Sequence, residues 1–307
     1  MPIAFEQVSY SYDPPVKRKR SPRKGATDGN GRERAAWGNA PDALWAVHDI
    51  TFTLEDGEFL GIAGHTGSGK STLIQHMNGL IHPTLGRVLV DGQDMADKKT
   101  ASHMRSKVGL VFQYPEHQLF AASVFDDVAF GPRNMGLASN EVEAHVREAL
   151  RQVALDFESV RSASPFELSG GQQRRVAFAG VLAMSPSVLI LDEPVAGLDP
   201  AGCAEFLDLI AGLHKEGLTV VMVSHNMDSL ALLSDRILVL KEGEQFMLGT
   251  PEEVFSQAEE LKAVGLGLPS AQQMANDLKA CGVPLGSGLY DSDRLAAEIA
   301  ALYRAKA

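Results

Sequence analysis

Short apolar runs punctuate the first 250 residues, and segments of helical periodicity fill the gaps between them. Ile50, Phe52 and Leu54 alternate with Thr51, Thr53 and Glu55, the period of a half-buried strand. Ile3, Phe5 and Val8 lead into Tyr10-Ser11-Tyr12 and predict a short aromatic strand before it. The runs 59–63, 108–112, 188–191 and 218–223 are apolar almost throughout, as suits strands covered on both faces. Residues 87–92 predict a strand ending in a turn, and 236–240 with 244–248 predict a hairpin around Glu242-Gly243. Helices are predicted over 70–80, 123–130 and 139–154, the last with Val142, Val146, Ala149, Leu150 and Val153 on one stripe. A break at 164–172 opens into another helix through Met184. Strands alternating with helices predict an α/β fold, mostly parallel, with ligands at the carboxyl ends of the strands.

The pattern changes at its two irregular stretches. From residue 251 onward it becomes purely helical. Ser270-Ala271-Gln272-Gln273 has the spacing of a capping box and predicts a helix through Cys281. Leu295, Ile299, Leu302 and Tyr303 stripe a last helix, for packing within the subunit or for a subunit contact. The division expected is a domain over 1–250, with a helical subdomain at about 114–185, followed by a helical extension over 251–307. Residues 14–41 carry eight basic and two acidic residues and few apolar ones. Such a segment cannot bury enough surface to offset its ordering entropy, so a solvated loop is expected ahead of lipid or nucleic-acid contact.

Composition removes several classes of function. The 307 residues are 45% hydrophobic, enough for a sizeable core, and the net charge of −11 argues against nucleic acid as a partner. The insert holds +6 of that balance, leaving −17 elsewhere. Cys203 and Cys281 form no C-x-x-C pattern, so neither a disulfide scaffold nor a cysteine metal site is expected, and a reducing cytosol fits. The start, Met1-Pro2-Ile3-Ala4-Phe5-Glu6, lacks a signal-peptide pattern, and no apolar run reaches the length of a membrane span.

The chemistry begins at Gly64-His65-Thr66-Gly67-Ser68-Gly69-Lys70-Ser71-Thr72, which reads G-x-x-x-x-G-K-S between a predicted strand and a predicted helix. Its glycines let successive N–H groups point at one spot beside a helix N-terminus, a cradle for phosphate. Lys70 reaches the outer phosphates, and Ser71 is placed to hold Mg²⁺. Asp192, ending the most apolar strand, is the second anchor for the Mg²⁺ shell, and Glu193 beside it can polarise an attacking water. His225 follows another buried strand and reads as a phosphate-contacting switch. Gln113 follows a third and can bond metal-bound water. Leu168-Ser169-Gly170-Gly171-Gln172 opens a helix and forms a second anion-binding element, with Arg174-Arg175 behind it. If the two elements fold into separate lobes, this one must serve another subunit.

Taken together these motifs resemble those of ABC-transporter ATPases, six in the family's order over about residues 1–250, with Gly197-Leu198-Asp199 completing the set. The resemblance implies a phosphate-loop NTPase with a mixed sheet, an antiparallel β subdomain, a helical signature subdomain and a small C-terminal helical extension. It implies a head-to-tail dimer that sandwiches two ATP molecules. Tyr12 would stack on adenine, with Tyr10 as the alternative, and Asp199 would communicate across the dimer. The stretches Phe112-Gln113-Tyr114-Pro115-Glu116-His117-Gln118-Leu119-Phe120, Asp127-Val128-Ala129-Phe130-Gly131-Pro132 and Gly265-Leu266-Gly267-Leu268-Pro269 resemble the energy-coupling factor (ECF) type, in particular the second of its two ATPase paralogues. That implies a paralogous ATPase partner (or a second copy), an integral-membrane T component, and S components for vitamins or metal ions. It places the chain peripherally on the cytoplasmic face of the membrane. Residues 115–120 would line the groove for the T component, with Glu116 contacting an arginine there. A cobalt or nickel importer is the alternative within the class. A DNA-clamping or ribosomal ABC ATPase fits poorly, because only 98 positions separate Lys70 from Leu168 and no sustained heptads lie between them. Val195 departs from the family's usual Thr, and the insert at 14–41 is longer than the short loop expected.

Overall fold

Residues 1–13 and 45–306 are described by the computed structural model, so the predicted insert loop at 14–41 lies outside the described residues. In chain order the elements are β1 (Ile3–Tyr10), β2 (Val47–Leu54), β3 (Phe59–Ala63), α1 (Lys70–Met77), β4 (Leu85–Val90), β5 (Gln93–Asp94), α2 (Lys98–Met104) and β6 (Val108–Val111). A 3-10 turn (Pro115–Gln118) leads to α3 (Val124–Val128), α4 (Phe130–Asn134), α5 (Ser139–Gln152) and α6 (Phe157–Val160). After a second such turn (Pro165–Glu167) come α7 (Gly170–Leu182), β7 (Val188–Asp192), α8 (Pro200–Lys215), β8 (Thr219–Val223), α9 (Met227–Leu233), β9 (Arg236–Lys241) and β10 (Glu244–Gly249). The tail is α10 (Pro251–Phe255), α11 (Ala258–Ala263), α12 (Ser270–Ala280) and α13 (Ser292–Lys306).

Two sheets organise these elements. One has the order β10-β9-β3-β8-β7-β6 and is parallel except for β10, and the other, β2-β1-β4-β5, is antiparallel. The apolar runs explain the first sheet. With period two, each strand sends alternate residues into opposite cores. Leu60, Ile62, Val188, Ile190, Val221, Val223, Leu238 and Leu240 pack with the antiparallel sheet and with Leu73, Ile74 and Met77 of α1. Phe59, Leu189, Leu191, Val220, Met222, Ile237 and Val239 pack with the helices of the other face, including Val146 and Leu150 of α5 and Phe178 of α7. Each of these side chains is worth roughly 1.5–3 kcal/mol on burial, which is why strands without a polar face are stable only at this position.

Several boundaries differ from the pattern. The 123–130 segment is two short helices, α3 and α4, rather than one. The hairpin β9–β10 closes on Glu242 (φ 50°) and Gly243 (φ 83°), the two positive-φ positions that a two-residue turn matching strand twist demands. α12 carries no capping box. Pro269 occupies its cap, and Ser270, in the first turn, donates its N–H (2.6 Å) and hydroxyl (2.8 Å) to Asp228 of α9. The serine is used to dock the tail rather than to start a helix. Val254, Phe255, Leu261, Val264 and Leu266 join the large core, whereas Ala271, Ala275, Leu285, Leu289 and Leu295 form a small one of their own. Ile299 and Leu302 pack on that small core while Tyr303 of the same stripe stays exposed. Among the described residues no helix is long and apolar enough to cross a membrane.

Candidate functional site

Strand order decides what meets at the site. β3 lies between β9 and β8, with β7 next and β6 at the edge, so the loops after four parallel strands open on one rim. Register tightens this: Ile62 pairs with Val223 and Val223 with Asp192, while Ser224 N–H donates to the Ile62 carbonyl. The phosphate loop, Ser224-His225, Asp192-Glu193 and Gln113 therefore lie in that lateral order.

The phosphate loop is held from below. Gly69 caps α1 with φ 99° and supplies no side-chain cap, so the first N–H groups of the helix stay available to an anion. A Cβ at Gly69 would come within 2.5 Å of the Ala46 carbonyl, and one at Gly64 within 2.6 Å of the Leu240 carbonyl. The tip of the hairpin braces the loop as well, since Gly243 N–H donates to the Ser68 carbonyl (3.2 Å). Sequence reasoning missed this brace, because a turn some 175 positions away carries no local sign of it. Ser68 Oγ is buried and has no hydrogen-bond partner among the described residues.

Lys70 Nζ donates to the Gly64 (2.7 Å) and His65 (2.9 Å) carbonyls. Burial lowers its pKa, and the Glu193 and Asp192 carboxylates pull it back up. Ser71 Oγ donates to Asp192 Oδ2 (3.3 Å), which brings the two expected Mg²⁺ anchors together. Burial raises the Asp192 pKa, and the neighbouring Glu193 adds to the rise. These are hard oxygen donors, few in number. No group of three or more His, Cys, Asp or Glu among the described residues could hold a metal alone. The set fits Mg²⁺, which keeps several waters and takes substrate phosphate oxygens besides one or two protein ligands. Glu193 sits at φ 50°, and its carboxylate lies 2.8 Å from His225 Nδ1. Gln113 is exposed just beyond β6.

On the α1 side, Tyr12 hydrogen-bonds Thr72 Oγ1 (3.1 Å) while its ring is 65% exposed. Tyr10 instead packs edge-on against both Tyr12 and His76, each with centroids 5.0 Å apart. The exposed face is thus that of Tyr12. His76 escaped the sequence reading. It is fully buried, donates from Nδ1 to the Thr72 carbonyl (2.7 Å), and among the described residues leaves Nε2 without a partner. Burial pushes its pKa down from 6.5 to about 4. The unfolded chain therefore takes up this proton first. His76 contributes its full stability above about pH 6.5 and loses it as pH falls toward 4, about 3 kcal/mol in all. Denaturant unfolding followed against pH is expected to show this acid loss in the wild type and to lack it in His76→Leu.

The signature segment is closed on itself. Ser169 caps α7 by accepting from Gln172 N–H (3.3 Å), and Gln172 Oε1 accepts from Ser169 N–H and Oγ (3.1 Å each). Among the described residues no hydrogen bond joins Leu168, Ser169, Gly170, Gly171 or Gln172 to the phosphate loop. The arginines expected to support this anion site are engaged elsewhere. Arg175 bonds the Val153 carbonyl and Glu205, and Arg174 bonds Glu116 and the carbonyls of Pro194 and Ala196. Arg174 engages both oxygens of the Glu116 carboxylate (2.9 and 3.1 Å), so a partner's arginine would have to share it. Asp199 is the cap of α8, accepting from Gly202 N–H at 2.7 Å. Val195 packs against the large core, which accounts for an apolar residue there.

With the family profile of the ABC transporter matching residues 47–196, this fold and this rim define an ATPase of the ATP-binding-cassette class. The chain is 52% identical to the energy-coupling factor transporter ATP-binding protein EcfA2 of Symbiobacterium thermophilum, over 97% of its own length and 96% of that protein's. It is 48% identical to EcfA1 of the same organism, over 98% and 97%. The chain belongs to the family of energy-coupling factor transporter ATP-binding proteins. Among solved structures, cbiO1 from Clostridium perfringens, described as part of the ABC transporter complex cbiONQ, superposes with a TM-score of 0.69 at 35% identity, covering 90% of this chain and 98% of that one. The dimeric cassette MJ0796 in its post-hydrolysis state with ADP and Pi gives 0.65 at 26%, covering 81% and 98%.

Proposed function

We propose that this chain is the ATP-hydrolysing subunit of an ECF-type importer, bound at the cytoplasmic face of the membrane, that powers uptake of a vitamin or another micronutrient. In this reading residues 1–250 are the ATPase domain and 251–307 a helical extension. The observation that carries it is that, among the described residues, no hydrogen bond joins the signature segment to the chain's own phosphate loop. A site so divided is completed by a second subunit, either a paralogous ATPase or another copy, arranged head to tail. Relatives named EcfA1 and EcfA2 in one organism favour the paralogue.

Within the site, Gly64 to Thr72 cradle the phosphates and Tyr12 stacks on adenine. Glu193 takes the proton of the attacking water, and His225, in contact with Glu193, fixes its orientation and senses the terminal phosphate. Ser71, Asp192 and Gln113 would hold Mg²⁺, partly through water, and the ion would offset phosphate charge. Ser169 turns from Gln172 toward the other subunit's nucleotide, and Asp199 relays between the two sites.

The T component is assigned to the cleft of about 620 Å³ lined by Gln118, Leu119, Phe130, Met135, Val176 and Met184. Phe120 and Phe130 meet edge to face beside it (5.1 Å) and are both exposed. Glu116 meets an arginine of that component there, sharing its carboxylate with Arg174. Mass spectrometry of proteins co-purified with the chain from detergent-solubilised membranes tests the assignment. A second ATPase and a membrane protein of several spans are expected, and recovery of the chain without either overturns it.

A further inference from the structure

Arg174 is a buried charge that the reading above leaves idle. The residue is only 4% exposed, yet each nitrogen of its guanidinium has a partner. Nε and one terminal nitrogen grip Glu116 (3.1 and 2.9 Å), and the other donates to the carbonyls of Ala196 (2.9 Å) and Pro194 (3.4 Å). Three segments meet at this one planar group. The first is α7, whose opening turn is the Ser169–Gln172 cap. The second is the turn that follows Gln113, and the third is the loop that follows Glu193. A guanidinium can serve a carboxylate along one edge and carbonyls along another, whereas an ammonium cannot span both.

The link to Glu193 is short. Ala196 N–H donates to the Glu193 carbonyl (3.1 Å) while the Ala196 carbonyl receives Arg174, so the turn that carries the base is fastened to α7. Glu193 holds a positive φ of 50°, a backbone state that a non-glycine residue keeps only when its surroundings impose it. α7 is capped at its start, and Val176, Phe178 and Ala179 are buried in the large core, so its first turns move as one piece. A shift at Ser169 therefore reaches Arg174 less than two turns later. Burial pushes the Glu116 pKa up, but the hydrogen bonds from Arg174 help hold it below the usual value, so the carboxylate stays ionised.

We propose that Arg174 is a positioning residue that transmits docking of the signature turn on a neighbouring subunit's nucleotide to this subunit's own Glu193 turn. The proposal rests on the shared-site reading of Ser169–Gln172. The two ATP sites of an assembly are then coupled through one guanidinium, in addition to any contact across the interface.

Arg174→Lys in the full chain, purified with the proteins that accompany it, keeps the charge opposite Glu116 and gives up the carbonyl bonds. Expected is a fall in kcat for ATP hydrolysis of about tenfold, the size typical of coupling mutations. KM for ATP should stay within about twofold, since binding is not at stake. ATP-bound assemblies should persist longer in proportion to the lost turnover. The neutral double variant Glu116→Gln/Arg174→Gln strands neither charge, and it is expected to show the same split if Arg174→Lys folds poorly. Wild-type kcat in the soluble variant, or a loss that appears in KM or in melting temperature instead, overturns the assignment. Glu193→Gln in the otherwise unaltered chain separates the two layers of the argument. If ATP does not hold its subunits together, the shared-site reading falls and the role of Arg174 with it. If ATP does hold them and Arg174→Lys turns over normally, only the role of Arg174 falls.

Discussion

Replacing Glu193 with Gln is expected to slow ATP hydrolysis by about 10²–10⁴-fold, the worth of a positioned general base. Nucleotide affinity should change little, because the amide keeps the shape and the hydrogen-bonding reach toward His225 while losing the ability to accept a proton. The geometry directs this expectation to Glu193 rather than Asp192. Asp192 is tied to Ser71 and raised in pKa by burial, whereas the Glu193 carboxylate is paired with His225. In the shared-site reading ATP-bound assemblies accumulate in this variant, and phosphate release with size-exclusion chromatography measures both effects. Turnover at the wild-type rate removes Glu193 from the role of base.

Lys70→Ala carries the other large effect, on binding instead of turnover. The ammonium is already poised at the loop by two carbonyls, so it reaches phosphate with little reorganisation. Loss of a half-buried, hydrogen-bonded charge partner costs about 2–4 kcal/mol here, a ~30- to 1,000-fold rise in Kd for ATP. The fold should survive, since the lost bonds lie within residues 64–70 and the loop keeps its brace from Gly243. Titration with a fluorescent ATP analogue, alongside a melting curve, checks both halves. An affinity within threefold of wild type would mean that the backbone cradle alone holds the phosphates.

Much of this site could be read from the chain because its residues follow strands that are apolar on both faces. Such a run has one physical explanation, a central position in a covered sheet, and whatever follows its carboxyl end lies on the rim. That logic sets Lys70, Asp192, Glu193 and His225 at or just past the carboxyl ends of strands, and they lie there in the structure. It failed where side chains were free to choose partners. Arg174 and Arg175 follow a helix N-terminus and look available to an anion, but a guanidinium near buried carbonyls and a carboxylate is drawn to those instead. The pairing of Glu116 with Arg174 likewise had no sign in the sequence. Ser270 fits a cap by spacing, yet the carboxylate of Asp228 on another helix outcompetes the local backbone donors.

The sequence by itself therefore determined the class: strand periodicity set the sheet, and glycine spacing with Lys70 and Ser71 set the phosphate loop, since both depend on local geometry. Only the tertiary structure decided which charges remain free. It buried Arg174 against Glu116 and the loop after Glu193, left His76 neutral behind the Tyr10–Tyr12 pair, and set the hairpin tip at Gly243 beneath Ser68. Those outcomes depend on distances between segments far apart in the chain, and no local pattern encodes a distance of that kind.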